Sequence, residues 1–167
     1  MAQIRPFVMW PDRRLLTKAA AVEAVTDQTR RIWDDMIETM DAMPGVGLAG
    51  PQIGVMQALA VVDASDKRGQ AICMANPRIV AASGVLREHE EASPNLPFVS
   101  AVVKRPRAVT VAYLDRDGVA QERDLVDVWA TSVQHQIDHL AGRLFIHRLS
   151  RPKRDMLIKK SLKAQKG

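Results

Sequence analysis

A chain of 167 residues, 47% of them hydrophobic, is long enough for one globular domain with its own core, and a second domain is not expected. No stretch approaches the ~20 consecutive apolar residues of a membrane span, and the N-terminus lacks the apolar core of a signal peptide. We therefore expect a cytoplasmic protein without a membrane contact, in which the single Cys73 forms no internal disulfide bond and is a buried strand thiol.

The first predicted element is a helix that begins after Thr26. Thr26 is a typical N-cap residue, and apolar residues recur at helical spacing from Ile32 to Met43. We expect Gly45 to end this helix, and the glycine-rich segment 45–52 is predicted to be a loop. Short apolar runs then predict strands at 58–62, 71–74 and 109–113.

A second helix is predicted over residues 126–141, and it contains the sequence His-Gln-Ile-Asp-His. His135 and His139 are four residues apart, so both imidazoles lie on one helical face and could hold one metal ion, although such pairs also occur by chance. In the H-E-x-x-H motif a glutamate follows the first histidine and moves protons during hydrolysis, whereas Gln136 stands here. Asp138 falls on another face, which favours a supporting contact over metal binding.

Basic residues concentrate at the C-terminus. Residues 148–167 contain eight basic residues against Asp155 alone, a net charge of +7, so residues 1–147 carry −2 of the total of +5. This charge has two interpretations: a solvated terminal helix that aids solubility, or a weak electrostatic contact with RNA or another polyanion. The helix is predicted from about Pro152, with a thin apolar edge formed by Met156, Leu157 and Leu162.

Two predicted helices among several strands, without repeated β-α-β units, indicate an α+β fold. We assign residues 1–150 to this single domain and residues 151–167 to a basic helical tail. No repeat or low-complexity linker interrupts the chain.

Two of these segments are similar to motifs of the peptide deformylase family. Residues 45–52 (GVGLAGPQ) resemble G-x-G-L-A-A-P-Q, and residues 135–139 (HQIDH) resemble H-E-x-D-H. Flanking sequence, including residues 134–150 (QHQIDHLAGRLFIHRLS), also resembles the family, and the resemblance covers roughly residues 6–152. It implies antiparallel strands around a central metal-motif helix. It also implies an enzyme that removes the N-formyl group from the initiator methionine of nascent polypeptides.

The resemblance further implies a set of site residues. In this family two histidines and a cysteine of an E-G-C-L-S motif hold a divalent metal, iron or zinc. His135 and His139 match the histidines, but the third motif falls on residues 91–95 (EASPN), where Ser93 replaces the cysteine. The resemblance also implies roles for other residues. Gln52 would be an oxyanion donor, Glu91 and Arg105 would form a structural pair, and the substrate groove would be lined by Val46, Gly47 and Leu48.

Three replacements predict lost activity. A serine hydroxyl at Ser93 is a poor anionic ligand at neutral pH, so we expect weak or absent metal binding. Pro94 replaces a leucine whose backbone N–H stabilises the oxyanion, and proline has no N–H. Gln136 replaces the glutamate that carries the proton, which an amide cannot do.

The remaining site residues leave several functions open. Gln52 and the glycines would suit a binding protein for nascent N-termini, which could reach the ribosome through the basic tail, but they could equally persist for the loop's fold. Alternatively, the third metal ligand could come from His89, Glu90 or Glu91, which would give an N-acyl amidohydrolase of altered specificity. A third alternative is an interaction protein whose groove is unused.

Overall fold

The computed structural model describes all 167 residues and contains three α-helices and seven β-strands. The helices are α1 (Asp27–Ala42), α2 (Asp127–Leu140) and α3 (Arg151–Lys166). The strands are β1 (Gly47–Ala49), β2 (Leu59–Val62), β3 (Ile72–Ala82), β4 (Leu86–Ser93), β5 (Leu96–Pro106), β6 (Ala108–Leu114) and β7 (Ala120–Val126).

The strands form two antiparallel sheets around α2. One sheet has five strands in the order β1-β2-β3-β6-β7, and the other is the pair β4-β5. Helix α2 contacts β1 and β2 of the first sheet and β5 of the second, so it lies between them. The expected α+β fold, with antiparallel strands around the histidine helix, is confirmed.

Helix α1 begins where its sequence indicates and ends earlier than expected. The Thr26 side chain accepts a hydrogen bond from the Thr29 backbone N–H, which caps the first turn. The buried face carries Trp33, Met36 and Met40, all fully buried against the first sheet. The helix ends at Ala42 rather than at Gly45, although the Gly45 N–H still bonds to the Met40 carbonyl at 2.8 Å.

The glycine-rich segment 45–52 is not a loop throughout, because residues 47–49 form β1 and residues 50–53 form one 3-10 turn. Three further strands, β4, β5 and β7, were not predicted from the sequence. Strand β7 is almost wholly exposed, and β4 alternates buried and exposed positions only near its end. Strands with so many polar residues are held by their neighbours rather than marked by hydrophobicity. Cys73 lies on β3, where burial raises the pKa of its thiol despite the nearby Arg116.

Helix α3 packs against β5 through Leu157 and Ser161, which are buried one turn apart. The Ser161 hydroxyl donates a hydrogen bond of 2.6 Å to the Pro97 carbonyl. Met156, which was expected on the apolar edge, is 60% exposed because it projects away from the Leu157 side of the helix. None of the three helices combines the length and the apolar character that crossing a membrane requires.

Candidate active site

The two histidines of α2 face the buried side of the helix, where their ring centroids lie 4.9 Å apart. Strand β1 passes close to this face: a Cβ atom on Gly47 would lie 2.4 Å from both Gln136 Nε2 and Ser132 Oγ. Only glycine allows this approach, so Gly47 sets the distance between β1 and the residues around His135 and His139.

Glu91 orients His135. His135 Nδ1 lies 2.8 Å from Glu91 Oε1, and Arg105 donates hydrogen bonds of 2.7 and 2.9 Å to the same carboxylate. Burial alone would raise the pKa of Glu91, but these hydrogen bonds outweigh burial and lower that pKa to about 2. Because an ionised carboxylate only accepts hydrogen bonds, Nδ1 of His135 carries a proton that it donates to Glu91.

Asp138 extends this buried network. Arg105 Nη1 donates to Asp138 Oδ2 at 2.9 Å, and Arg148 donates two further hydrogen bonds, of 3.0 and 2.7 Å, to the same carboxylate. Arg105 is therefore held between Glu91 on β4 and Asp138 on α2, which is the supporting contact expected for Asp138. The network joins the second sheet to the histidine helix.

The hydroxyl of Ser93 is engaged by neighbouring side chains. Ser93 Oγ donates to Asn95 Oδ1 at 3.0 Å, and Gln52 Nε2 donates to Asn95 Oδ1 at 2.7 Å. Asn95 Nδ2 in turn donates to the backbone carbonyls of Val8 and Gln52. All three polar side chains are at most 3% exposed. Asn95 thus organises this part of the site, although its distant partners gave no local signal in the sequence.

Gln136, which the resemblance assigns to the position of the proton carrier, lies in the site with its oxygen unpaired. Gln136 is 3% exposed, and its Oε1 atom has no hydrogen-bond partner in the protein. Both ring nitrogens of His139 are also without a partner, and burial lowers the pKa of His139 well below its ordinary value, so the ring is neutral. Gln136 lines a groove, so a bound molecule could contact its unpaired oxygen, whereas His139 does not line that groove.

Gln52, Ser93, His135 and Gln136 lie at the deep end of a groove with a volume of about 460 Å³. Its rim is apolar and more exposed, with Val46 41% and Phe98 70% exposed. Two carboxylates, Glu90 and Glu91, line it, but no lysine or arginine does. Polar residues of its lining include Gln52, Ser93, Thr131, Ser132, His135 and Gln136, and apolar ones include Met43, Pro44, Val46, Pro94, Pro97, Phe98, Val99 and Val128.

The three residues expected to line the groove behave differently. Val46 and Gly47 do line it. Leu48 does not: its side chain is fully buried in the core beside Trp33 and Met36. Successive side chains of a strand point to opposite faces, so Leu48 on β1 faces away from the groove that its neighbour Gly47 borders.

The alternative metal ligands are not assembled around the histidines. Glu91 is bound by Arg105 and His135, and Glu90 accepts a hydrogen bond from Ser100 Oγ on β5. His89 lines the groove, but no group of three His, Cys, Asp or Glu side chains is placed to hold a metal ion. A rebuilt metal centre therefore gains no support from the geometry.

The donor set of the family-like site does not fit a tightly held transition metal either. His135 and His139 offer imidazole nitrogens, which suit iron or zinc. The third position, Ser93, offers a neutral hydroxyl that donates a hydrogen bond to Asn95 Oδ1. With no anionic third donor, the residues present supply two of the three protein ligands that such a centre needs.

Comparison with known proteins agrees with this architecture. A family model described as polypeptide deformylase matches residues 4–155. A peptide deformylase of Methylocella silvestris is 44% identical over 98% of this chain and 86% of that protein. A protein of Bradyrhizobium diazoefficiens named peptide deformylase-like is 41% identical over 98% of this chain and 96% of its own.

The structural likeness is equally extensive. The crystal structure of the Ehrlichia chaffeensis peptide deformylase in complex with actinonin matches with a TM-score of 0.92 and 33% identity, and the match covers 100% of both chains. Family model, sequence relatives and solved structure thus span nearly every residue. This chain belongs to the peptide deformylase family.

Proposed function

We propose that this protein binds the N-terminal segments of polypeptides in a deformylase groove but has lost most or all of the family's hydrolytic activity. The family's reaction is hydrolysis of the N-formyl group from N-terminal formyl-methionine of nascent polypeptides. The observation that supports the proposal is the buried network of Gln52, Ser93 and Asn95: Ser93, which the resemblance assigns to the position of the metal-binding cysteine, is held there by neutral hydrogen-bonding groups.

The loss of a proton carrier supports the proposal independently. Gln136 can orient a water molecule through its amide, but it cannot take the water's proton or deliver one to the leaving amine. Removal of a general acid–base group slows a reaction by ~10²–10⁴-fold. This loss alone would leave a very slow enzyme.

Oxyanion stabilisation is weakened at two positions. Pro94 has no backbone N–H, and loss of one such donor costs ~10²–10³-fold in rate. Gln52, the other residue that the resemblance assigns as an oxyanion donor, already donates a hydrogen bond from Nε2 to Asn95 Oδ1 at 2.7 Å. The two losses do not simply multiply, because groups that act as a unit are not additive.

The features that binding requires are retained. The groove ends in buried polar groups and opens between apolar residues, as in sites that hold a short chain end. Strand β1 is an edge strand of its sheet and borders the groove, so an extended peptide could pair with it. Glu90 lines the groove without a cationic partner, and no lysine or arginine lines it, which favours a free α-ammonium group over an anionic end.

The basic tail suggests that the protein binds such peptides at the ribosome. Helix α3 presents exposed lysines and arginines on the face opposite Leu157, and residues 148–167 carry +7. We propose that this face contacts ribosomal RNA and places the groove near nascent chains.

Peptide titration combined with a formate assay tests the proposal. The peptide Met-Leu-Lys, with a free or formylated amino group, is titrated calorimetrically into the protein. We expect binding of at least the free form and formate release at least ~10²-fold slower than an active family member gives.

A matched pair of variants locates the binding. Val128→Trp fills the groove and should abolish binding, whereas Val119→Trp, at an exposed position outside the groove, should not. Readily measured formate release would contradict the loss of activity, and equal binding by both variants would place the peptide elsewhere.

A further inference from the structure

The pairing of β4 and β5 breaks beside the groove. Glu91 pairs with Ala101 and Ser93 pairs with Leu96, so the four residues 97–100 lie opposite Ala92 alone. Such an irregularity removes residues from the ladder and can aim a side chain in a direction that a regular strand would not allow. It lies one residue from Ser93 at the floor of the site.

Phe98, within this irregular segment, has an unusual backbone conformation. Its φ angle is +70°, in the left-handed region that glycine adopts readily and a bulky residue rarely does. A side chain in this conformation strains the backbone, and such strain persists where the rest of the structure holds it. Packing in the folded core does not offset this strain, since the Phe98 ring is 70% exposed.

The ring nevertheless lies at a place where a ligand would cover it. Phe98 lines the groove with Val46 and Val128, at the apolar rim above the buried polar floor. The N-terminal residue of a bound peptide would fill the deep end, so its next residues would pass this rim.

We propose that Phe98 is a ligand-binding residue whose ring packs on an apolar side chain next to the N-terminal residue of the bound peptide. This inference rests on the proposed binding function and adds the class of ligand, an N-terminus followed by an apolar residue. The strained backbone holds the ring at the rim, where it is exposed in the free protein and buried in the complex.

The variant Phe98→Gly separates the two roles of this residue. Glycine suits a φ of +70°, so the variant should unfold at a temperature higher by roughly 3 °C or more. The same variant should bind Met-Leu-Lys about tenfold more weakly, because the contact with the leucine side chain is lost. Phe98→Tyr should keep wild-type affinity within about twofold, since it retains the ring.

Controls distinguish the outcomes. Val102→Ala alters an exposed residue of the same strand outside the groove and should leave affinity unchanged. Wild-type preference for Met-Leu-Lys over Met-Ser-Lys should disappear in Phe98→Gly. Unchanged affinity in Phe98→Gly, or a lower unfolding temperature, would overturn this inference while leaving the binding function in place. Absence of any peptide binding by the wild-type protein would overturn both.

Discussion

At the scale of single residues, Arg105 near the end of β5 affects both the stability of the fold and the orientation of His135. It is 2% exposed and pairs with two buried carboxylates, those of Glu91 and Asp138. Through Glu91 it also fixes the proton on His135 Nδ1. A buried charge is tolerated because its partners are present, and removing one partner leaves the others buried without compensation.

Substitution of Arg105 should therefore destabilise the fold strongly. Arg105→Leu is expected to lower the free energy of unfolding by about 3–5 kcal/mol, because Glu91 and Asp138 would remain charged and buried. Arg107→Leu is the matched control, since Arg107 pairs with Asp127 at the surface and such pairs contribute ~0–1 kcal/mol. Urea denaturation measures both; similar losses in the two variants would contradict the importance of the buried network.

Ser93 leads to a prediction about the metal content of the protein. Protein purified without added metal should contain well below one iron or zinc per chain, because two imidazoles and a hydroxyl form an incomplete site. Ser93→Cys should raise the metal content, whereas Ser161→Cys, at a buried serine of α3 away from the site, should not. Stoichiometric metal in the wild-type protein that disappears in His139→Ala would refute this expectation.

At the scale of elements, the sequence predicted those parts that have local signals. Helix α2 follows from its apolar spacing and its histidines, and the N-cap of α1 from Thr26. Strands β4 and β5 were not predicted, because β4 has few apolar residues and β5 contains Pro97 and a break in its pairing at residues 97–100. The family resemblance pointed to Ser93 and Gln136 but not to Asn95 or Phe98, whose roles depend on long-range contacts or on register.

Helix α3 is the element most open to a separate test. If its basic face contacts ribosomal RNA, co-sedimentation with ribosomes should weaken steeply as salt rises, since each phosphate contact releases counterions. Reversing charge at Lys159, Lys160 and Lys163 should reduce binding without unfolding the helix, because these residues are exposed while Leu157 and Ser161 hold it on β5. Salt-independent sedimentation, or none, would leave α3 as a solubilising helix.

At the scale of the whole molecule, the fold of the peptide deformylase family surrounds a centre whose chemistry we propose to be altered. Gly47 still sets the distance of β1 from α2, Glu91 still orients His135, and the groove still opens beside both. Ser93 and Gln136 lie at the floor of this groove. We therefore propose that a loss of activity would arise from the chemistry of the site and not from the fold.

Formate release by a restored variant tests this central claim most directly. The triple change Ser93→Cys, Pro94→Leu and Gln136→Glu returns a thiolate, a backbone donor and a proton carrier, and formyl-methionine peptide is the substrate under conditions that protect ferrous iron. We expect measurable formate release from the triple variant and little from each single variant, because the three groups act as a unit. Ready turnover by the wild-type protein, or a triple variant that binds metal yet stays inactive, would contradict the account.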